Sequence, residues 1–275
     1  MLASYNFKFI EEKEFSIGLD NRAFLYGDGL FETILFSNSK VCLFDAHFRR
    51  LKKGMQALGF KGAEALKKEV LRHQIKALTT KNNIGSSARI KILIWRKKSG
   101  FYTPNNLYFN ILITVKKNED KKEAFPSFKT AFSSTVNVEY SKISAFKTIN
   151  ALPYVLAGIE AKDRGLEDII LLNNKGKVVE CISSNIFWVK DDEVFTPCLK
   201  TGCVAGVMRK HVIKLLKAKG ITVNEVKADR QELLKAKYVF TTNVFGIRHI
   251  YKVNRKRFGK FTLIEKLLPE ALLKN

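Results

Sequence analysis

The chain has 275 residues, 46% of them hydrophobic, and a net charge of +23 from 49 basic and 26 acidic side chains. That length and apolar content fit one large or two modest folded domains and argue against disorder, and no apolar run nears the roughly 18 residues of a membrane span. The lysines are scattered over helical stretches such as LKKEVLRHQIKALTTKNN, with no RNP, zinc-finger or basic-aromatic pattern, so the charge reads as a solvated surface that attracts small anions, not a dedicated nucleic-acid face.

The opening MLASYNFKFIEEKEF has no uninterrupted apolar stretch and carries acids early, so no signal peptide is expected and the protein reads as cytoplasmic. GLFETILFSNSKVCLF predicts a β-hairpin turning at Ser37-Asn38-Ser39. DAHFRRLKKGMQALGF predicts a helix capped by Asp45, with Phe48, Leu51, Met55 and Leu58 at helical spacing and Gly59 at its end. A second helix is expected from Ala63 to Leu78, and ARIKILIW and LYFNILITV alternate as strands. The charged stretch KKNEDKKEAFP, residues 116–126, is the expected linker between a first domain over residues 1–115 and a second over 127–275. Strands follow, then a helix from about Asn150 to Arg164, a strand pair turning at Asn173-Asn174-Lys175-Gly176, and a helix in AGVMRKHVIKLLKAKG. Helices and strands interleave without a regular βαβ cadence, which predicts an α+β fold. No GxGxxG follows a strand, so dinucleotide binding lacks support. Cys42, Cys181, Cys198 and Cys203 form no CxxC and the four histidines do not cluster with them, so neither a zinc site nor structural disulfides are expected.

Four features carry chemistry. Lys147, in SAFKTINALP, sits among Ile143, Ala145, Phe146 and Ile149. It reads either as a surface lysine whose stem covers apolar neighbours or as a desolvated amine able to form a Schiff base with an aldehyde cofactor. Glu180 lies near the end of KVVEC, just before ISSN. It is either a solvated strand-end acid or a carboxylate that keeps a pyridine nitrogen protonated. Gly206 stands where a helix begins, followed by Val207 and Met208; the first-turn N–H groups lack internal partners and can hold a phosphate. Arg50, in HFRRL, is a surface charge or a bidentate anion ligand.

In order along the chain, NRAFLYGDGLFETI, HFRRL, KTIN, GLEDIILLNNKGKVVECISSNIFWVKDDEVFTP, GCVAGVMR and YVFTTN resemble the class IV aminotransferase family, the fold-type IV pyridoxal-phosphate enzymes, from about Asp20 to Ile250. The resemblance implies a small α/β N-terminal domain and a larger barrel-like C-terminal domain. It makes Lys147 the lysine that binds pyridoxal 5'-phosphate, Glu180 the acid at the ring nitrogen and Arg50 a phosphate-binding arginine. It also makes Val207 and Met208 the helix-start phosphate amides, Thr242 and Asn243 part of the loop on the phosphate's other side, and Tyr26 and Phe31 aromatic lining of the substrate pocket. A homodimer and a small anionic amino substrate are implied too. ECISSNIFWVKDDEVFTPCLKTGCVAGVMR is most similar to the aminodeoxychorismate lyase subgroup, which releases pyruvate and leaves 4-aminobenzoate; the alternatives are an aminotransferase of the D-amino-acid or branched-chain type and a non-catalytic basic binding protein on the same fold. The R-x-H carboxylate trap of the D-amino-acid enzymes is replaced here by IWRKKSGFYTP, which leaves Arg96 as the candidate carboxylate contact, against a solvated charge after a strand. Arg248 and His249 in GIRHI depart from the family's usual hydrophobic-proline ending.

Overall fold

Period-two alternation builds the first half of the chain. In the computed structural model, which describes residues 1–118 and 127–273, six strands form one antiparallel sheet: β1 (Leu2–Tyr5), β2 (Lys8–Glu11), β3 (Gly29–Ser37), β4 (Lys40–Val41), β5 (Ser87–Arg96) and β6 (Phe109–Lys117). Their order is β2-β1-β6-β5-β3-β4. Leu30, Ile34 and Phe36 of β3, Ile90, Ile92 and Ile94 of β5, and Ile111, Ile113 and Val115 of β6 are buried on one face, because successive strand side chains leave opposite faces. The short α1 (Arg22–Tyr26) precedes β3, with the Asn21 side chain accepting from the Ala23 and Phe24 N–H groups. α2 (Phe44–Ala57) and α3 (Lys68–Lys81) add Leu51, Met55, Leu71, Ile75 and Leu78 to the same core.

Two local expectations change. Asp45 is not the cap of α2: it lies in the first turn, and its carboxylate takes Arg72 Nη2 at 2.9 Å. The helix expected over 63–78 starts later, because Ala63–Ala65 is a single 3-10 turn and Leu66 leaves helical dihedrals to bury in the core.

Over its described residues the chain divides into two units: residues 1–118 with Phe146–Asn150, and residues 127–145 with residues 151–273. Of the expected linker, Lys116 and Lys117 belong to β6, and residues 119–126 lie outside the described residues. Residues 146–150 were expected within the second domain but group with the first. The backbone gives the reason: Phe31 N–H donates to the Lys147 carbonyl at 2.8 Å and Ile149 N–H to the Gly29 carbonyl at 2.9 Å, so the segment runs alongside β3. Gly29 permits this approach, since a Cβ there would lie 2.4 Å from the Ile94 carbonyl oxygen and 2.6 Å from Ile149 Cδ1.

In the second unit β7 (Ser127–Thr130), β8 (Phe132–Asn137), β9 (Ile170–Leu172), β10 (Val178–Cys181), β11 (Asn185–Lys190), β12 (Glu193–Pro197), β13 (Val223–Val226), β14 (Tyr238–Asn243), β15 (Gly246–Val253) and β16 (Lys256–Arg257) make two sheets. One is three-stranded, β10-β9-β8; the other runs β13-β12-β11-β14-β15-β16 with β7 added on β15. Among the described residues both are open, so the expected barrel-like domain is a pair of mixed sheets and not a closed barrel. Phe128, Ile186, Trp188, Val239 and Ile250 are buried in its core. Four helices complete the unit: α4 (Leu152–Asp163), α5 (Val207–Ala218), α6 (Arg230–Leu234) and α7 (Thr262–Leu273). Among the described residues no helix is long and apolar enough to cross a membrane.

Candidate active site

In the first unit the Lys147 segment runs alongside β3 and Arg50 stands on α2 against Glu32 of β3. Pinned by the Phe31 N–H, the lysine segment sets its Nζ 4.6 Å from the centre of the Phe31 ring, a cation–π contact. Lys91 Nζ lies 5.4 Å from the same ring. One residue further along β3, alternation turns Glu32 inward between Leu30 and Ile34, where it is buried. A buried carboxylate requires donors, and α2 supplies them from one face: His47 Nδ1 lies 2.7 Å from Oε2, and Arg50 engages both oxygens, Nε to Oε1 at 2.7 Å and Nη2 to Oε2 at 2.6 Å. Burial alone would raise the Glu32 pKa, but the charge of Arg50 and the bonds from Arg50 and His47 outweigh it and hold the carboxyl at about 2. Glu32 and His47 escaped the sequence reading, although an acid at an inward position of an alternating strand was their signal.

Tyr26 lies at the end of α1, with the Arg22 guanidinium 4.9 Å from its ring and the Tyr102 ring 5.4 Å away. Arg96 is not the solvated charge offered as its alternative. It has the parity of Ile92 and Ile94 and so faces the helices: it is buried, donates Nη2 to the Leu58 carbonyl at 2.7 Å and pairs through Nε with Asp28 Oδ2 at 3.0 Å. A cation at the C-terminal carbonyls of α2 is a structural clamp.

The second unit gathers the other named residues. The β9–β10 register shifts between Val178 and Glu180, an irregularity of the kind that re-aims a side chain. Glu180 is buried and accepts from Tyr154 Oη at 2.7 Å, Asn185 Nδ2 at 3.1 Å and the Val204 N–H at 3.1 Å. All three are donors, which suits an ionised carboxylate, an acceptor-only group. Burial, then the charge of Glu180, push the Tyr154 hydroxyl far up, so it stays a donor. Asn185 also abuts the start of α5: a Cβ on Gly206 would lie 1.9 Å from its Oδ1. Gly206 caps α5 with no side-chain hydrogen bond, and Val207 and Met208 open the helix. Thr242 stands directly across β11–β14 from Asn185; its hydroxyl is buried and has no partner among the described residues. Asn243 is next on β14, its Oδ1 taking the Phe245 N–H at 2.9 Å.

Helix-start amides beside an orphaned hydroxyl fit a phosphate, and a buried three-donor carboxylate fits a protonated ring nitrogen. The residues of the second unit therefore suit pyridoxal phosphate. Tyr154 and Asn185 were missed in sequence, because nothing near Tyr154 in the chain announces a partner 26 residues away. Tyr154→Phe removes a bond to a charged group, so it is expected to cost about 1.5–3 kcal/mol of stability, read as a lower urea midpoint. An unchanged midpoint would mean that the hydroxyl does not hold Glu180.

Residues 29–253 match the family model described as amino-transferase class IV. A Methanocaldococcus jannaschii protein, provisionally named a branched-chain-amino-acid aminotransferase, is 29% identical over 94% of this chain and 91% of its own length. The aminodeoxychorismate lyase of Vibrio harveyi is 30% identical over 82% of this chain and 83% of that protein. In fold, the chain is similar to the branched-chain aminotransferase of Thermoproteus uzoniensis solved with norvaline, with a TM-score of 0.89 over 98% of this chain and 93% of that one, at 23% identity.

Proposed function

Because the chain belongs to the amino-transferase class IV family, we propose that it is a pyridoxal-phosphate enzyme that releases pyruvate from 4-amino-4-deoxychorismate to leave 4-aminobenzoate. The buried carboxylate of Glu180 among three donors carries the cofactor part of this reading. The E-C, N-x-F-W and L-x-x-G-x-x-x-G-x-M-R runs and the lyase name of the Vibrio harveyi relative support the reaction.

When bound, the cofactor supplies an electron sink for the pair left behind as a proton departs from the substrate's amine-bearing carbon. Lys147 Nζ would hold the cofactor's aldehyde; once exchanged for the substrate's amine, it is the base that takes that proton and the acid that returns one. Glu180, oriented by Tyr154 and Asn185, would keep the ring nitrogen protonated. The Val207 and Met208 amides, the Thr242 hydroxyl and Asn243 are assigned to the phosphate, and Arg50, fixed by Glu32, is assigned to it through its place in the H-x-x-R-L pattern. Tyr26 and Phe31 are assigned to the substrate.

The deciding assay supplies holoenzyme with aminodeoxychorismate. Pyruvate and 4-aminobenzoate in equal amounts support the lyase. Keto-acid exchange with 2-oxoglutarate and no pyruvate would transfer the reading to an aminotransferase, the activity named for the Methanocaldococcus jannaschii relative. A folded chain that stays colourless with the cofactor would favour a non-catalytic binding protein.

A homodimer belongs to the same proposal. On α4, Leu152, Val155, Leu156 and Ile159 recur at i, i+3, i+4 and i+7 and are 48% to 61% exposed in the single chain. Such a stripe is self-complementary across a two-fold axis, and it lets two strongly basic copies meet through apolar surface. Leu156→Glu with Ile159→Lys is expected to halve the mass seen by light scattering; a variant that keeps the wild-type mass would remove α4 from the interface.

A further inference from the structure

We propose that Glu160 is a positioning residue for Glu180: by holding the far end of α4 on β8, it sets the reach at which the Tyr154 hydroxyl meets that carboxylate. The inference rests on the pyridoxal-phosphate reading above and deepens it, because Glu180 is the group assigned there to the ring nitrogen.

Glu160 is buried near the end of α4, and its donors come from β8 and from its own helix. Oε2 accepts from Ser133 Oγ at 2.6 Å and Thr135 Oγ1 at 2.7 Å. Oε1 accepts from the Ser134 N–H and hydroxyl, each at 2.9 Å, and from Arg164 Nη1 at 2.6 Å. Arg164 Nη1 also donates to the Phe132 carbonyl of β8 at 3.0 Å. A carboxylate with donors on both oxygens is a strong, directional anchor.

At the other end of the same helix, Tyr154 Oη donates to Glu180 on β10 at 2.7 Å. In the sheet order β10-β9-β8 the two outer strands are two spacings apart, about 9.5 Å. Tyr154 and Glu160 are six residues apart on α4, a rise of about 9 Å. The helix thus crosses the sheet with one polar contact on each outer strand. Its other buried residues are Ala157 and Ala161, which share a core with Val136, Ile169, Leu171 and Val179. Methyl groups resist lifting of the helix but do not interlock, so they oppose sliding only weakly. A slide of about 1 Å along the axis takes the Tyr154 contact out of hydrogen-bond range, and Glu160 is the group that opposes it.

The test is fluorine NMR of the full chain, labelled with fluorotyrosine and without added cofactor; the Tyr154 resonance is the one that Tyr154→Phe lacks. Glu160→Ala is expected to move that resonance and Glu160→Gln to restore it. A glutamine puts its oxygen where the Ser134 N–H and Arg164 point, and its amide where the Ser133 and Thr135 hydroxyls can turn to accept. Leu233→Ala, a core truncation away from α4, is expected to lower the urea midpoint and leave the resonance in place. In the holoenzyme, Tyr154→Phe and Glu160→Ala are each expected to lower kcat about tenfold, the effect of one hydrogen bond to a charged group. The double variant is expected to lose no more than Tyr154→Phe alone. An unmoved resonance in Glu160→Ala would overturn the proposal, as would equal movement in Leu233→Ala or kcat losses that multiply in the double variant. Should Glu160→Ala fail to fold, Ser133→Ala with Thr135→Val removes the hydroxyls on Oε2, keeps the carboxylate and carries the same comparison. The two readings fail separately. A resonance that moves and is rescued, in a chain that stays colourless with pyridoxal phosphate, sinks the enzyme reading alone; an unmoved resonance in a coloured chain sinks the role of Glu160 alone.

Discussion

Lys147→Ala is expected to abolish turnover, by at least about a thousandfold, and to remove the borohydride-sensitive visible band from protein incubated with pyridoxal phosphate. The expectation follows from how the amine is held. The Lys147 carbonyl is tied to β3 by the Phe31 N–H at 2.8 Å, and the side chain then rests its Nζ on that residue's ring. An alanine leaves this backbone bond intact, so the variant should fold while losing both the tether and the base. Lys91 is the other amine at the Phe31 ring, but its place on β5 fixes where its stem starts. Residual activity within about tenfold of wild type, a barrier change of about 1.4 kcal/mol or less, would mean that another group does the chemistry. Lys91→Met in the Lys147→Ala background would then show whether Lys91 is that group.

Glu32→Ala is the second large effect, and it falls on stability. The carboxylate is 2% exposed and joins β3 to α2 through His47 and both nitrogens of the Arg50 edge. Removing it takes the carboxylate bonds from the part-buried Arg50 guanidinium and from the buried His47 ring, a change expected to cost about 3 kcal/mol, the low end for breaking a buried pair. The pH dependence points the same way. The folded pKa of about 2 lies below the ordinary 4.5, so the unfolded chain binds the proton more readily. The stabilisation, about 3 kcal/mol by linkage, is fully present above pH 4.5 and is lost as the pH falls toward 2. Urea midpoints for wild type and Glu32→Ala should therefore differ widely at pH 7 and converge near pH 2. Curves that coincide at pH 7 would show that the network does not hold the helix to the sheet.

The local elements were legible because they obey short-range rules. Alternation over residues 88–95 and 107–115 and the β-rich run from Gly29 marked the three long strands of the first sheet, and helical spacing marked α2 within a residue or two. The reading slipped where tertiary contacts outweighed local preference. Asp45, a good cap by type, meets Arg72 from α3 instead, and Leu66 abandons the helix to reach the core. Arg96 shows the same limit at the site. Its position after a strand suggested solvent, but strand parity turned it to the helix side, where Asp28 and the Leu58 carbonyl were waiting.

By itself the amino-acid sequence determined which residues could do chemistry: an amine at 147, an acid at 180, an arginine at 50 and a glycine-started helix at 206, all carried by motifs whose spacing is local. Only the tertiary structure decided what each of them touches. The donors to Glu180 come from positions 154, 185 and 204, the partners of Glu32 from positions 47 and 50, and the ring beneath Lys147 from position 31. Helix and strand periodicity reaches only a few residues along a chain. Desolvation and hydrogen-bond pairing act between side chains brought together from far apart, so the electrostatic character of these groups exists only once the chain has folded.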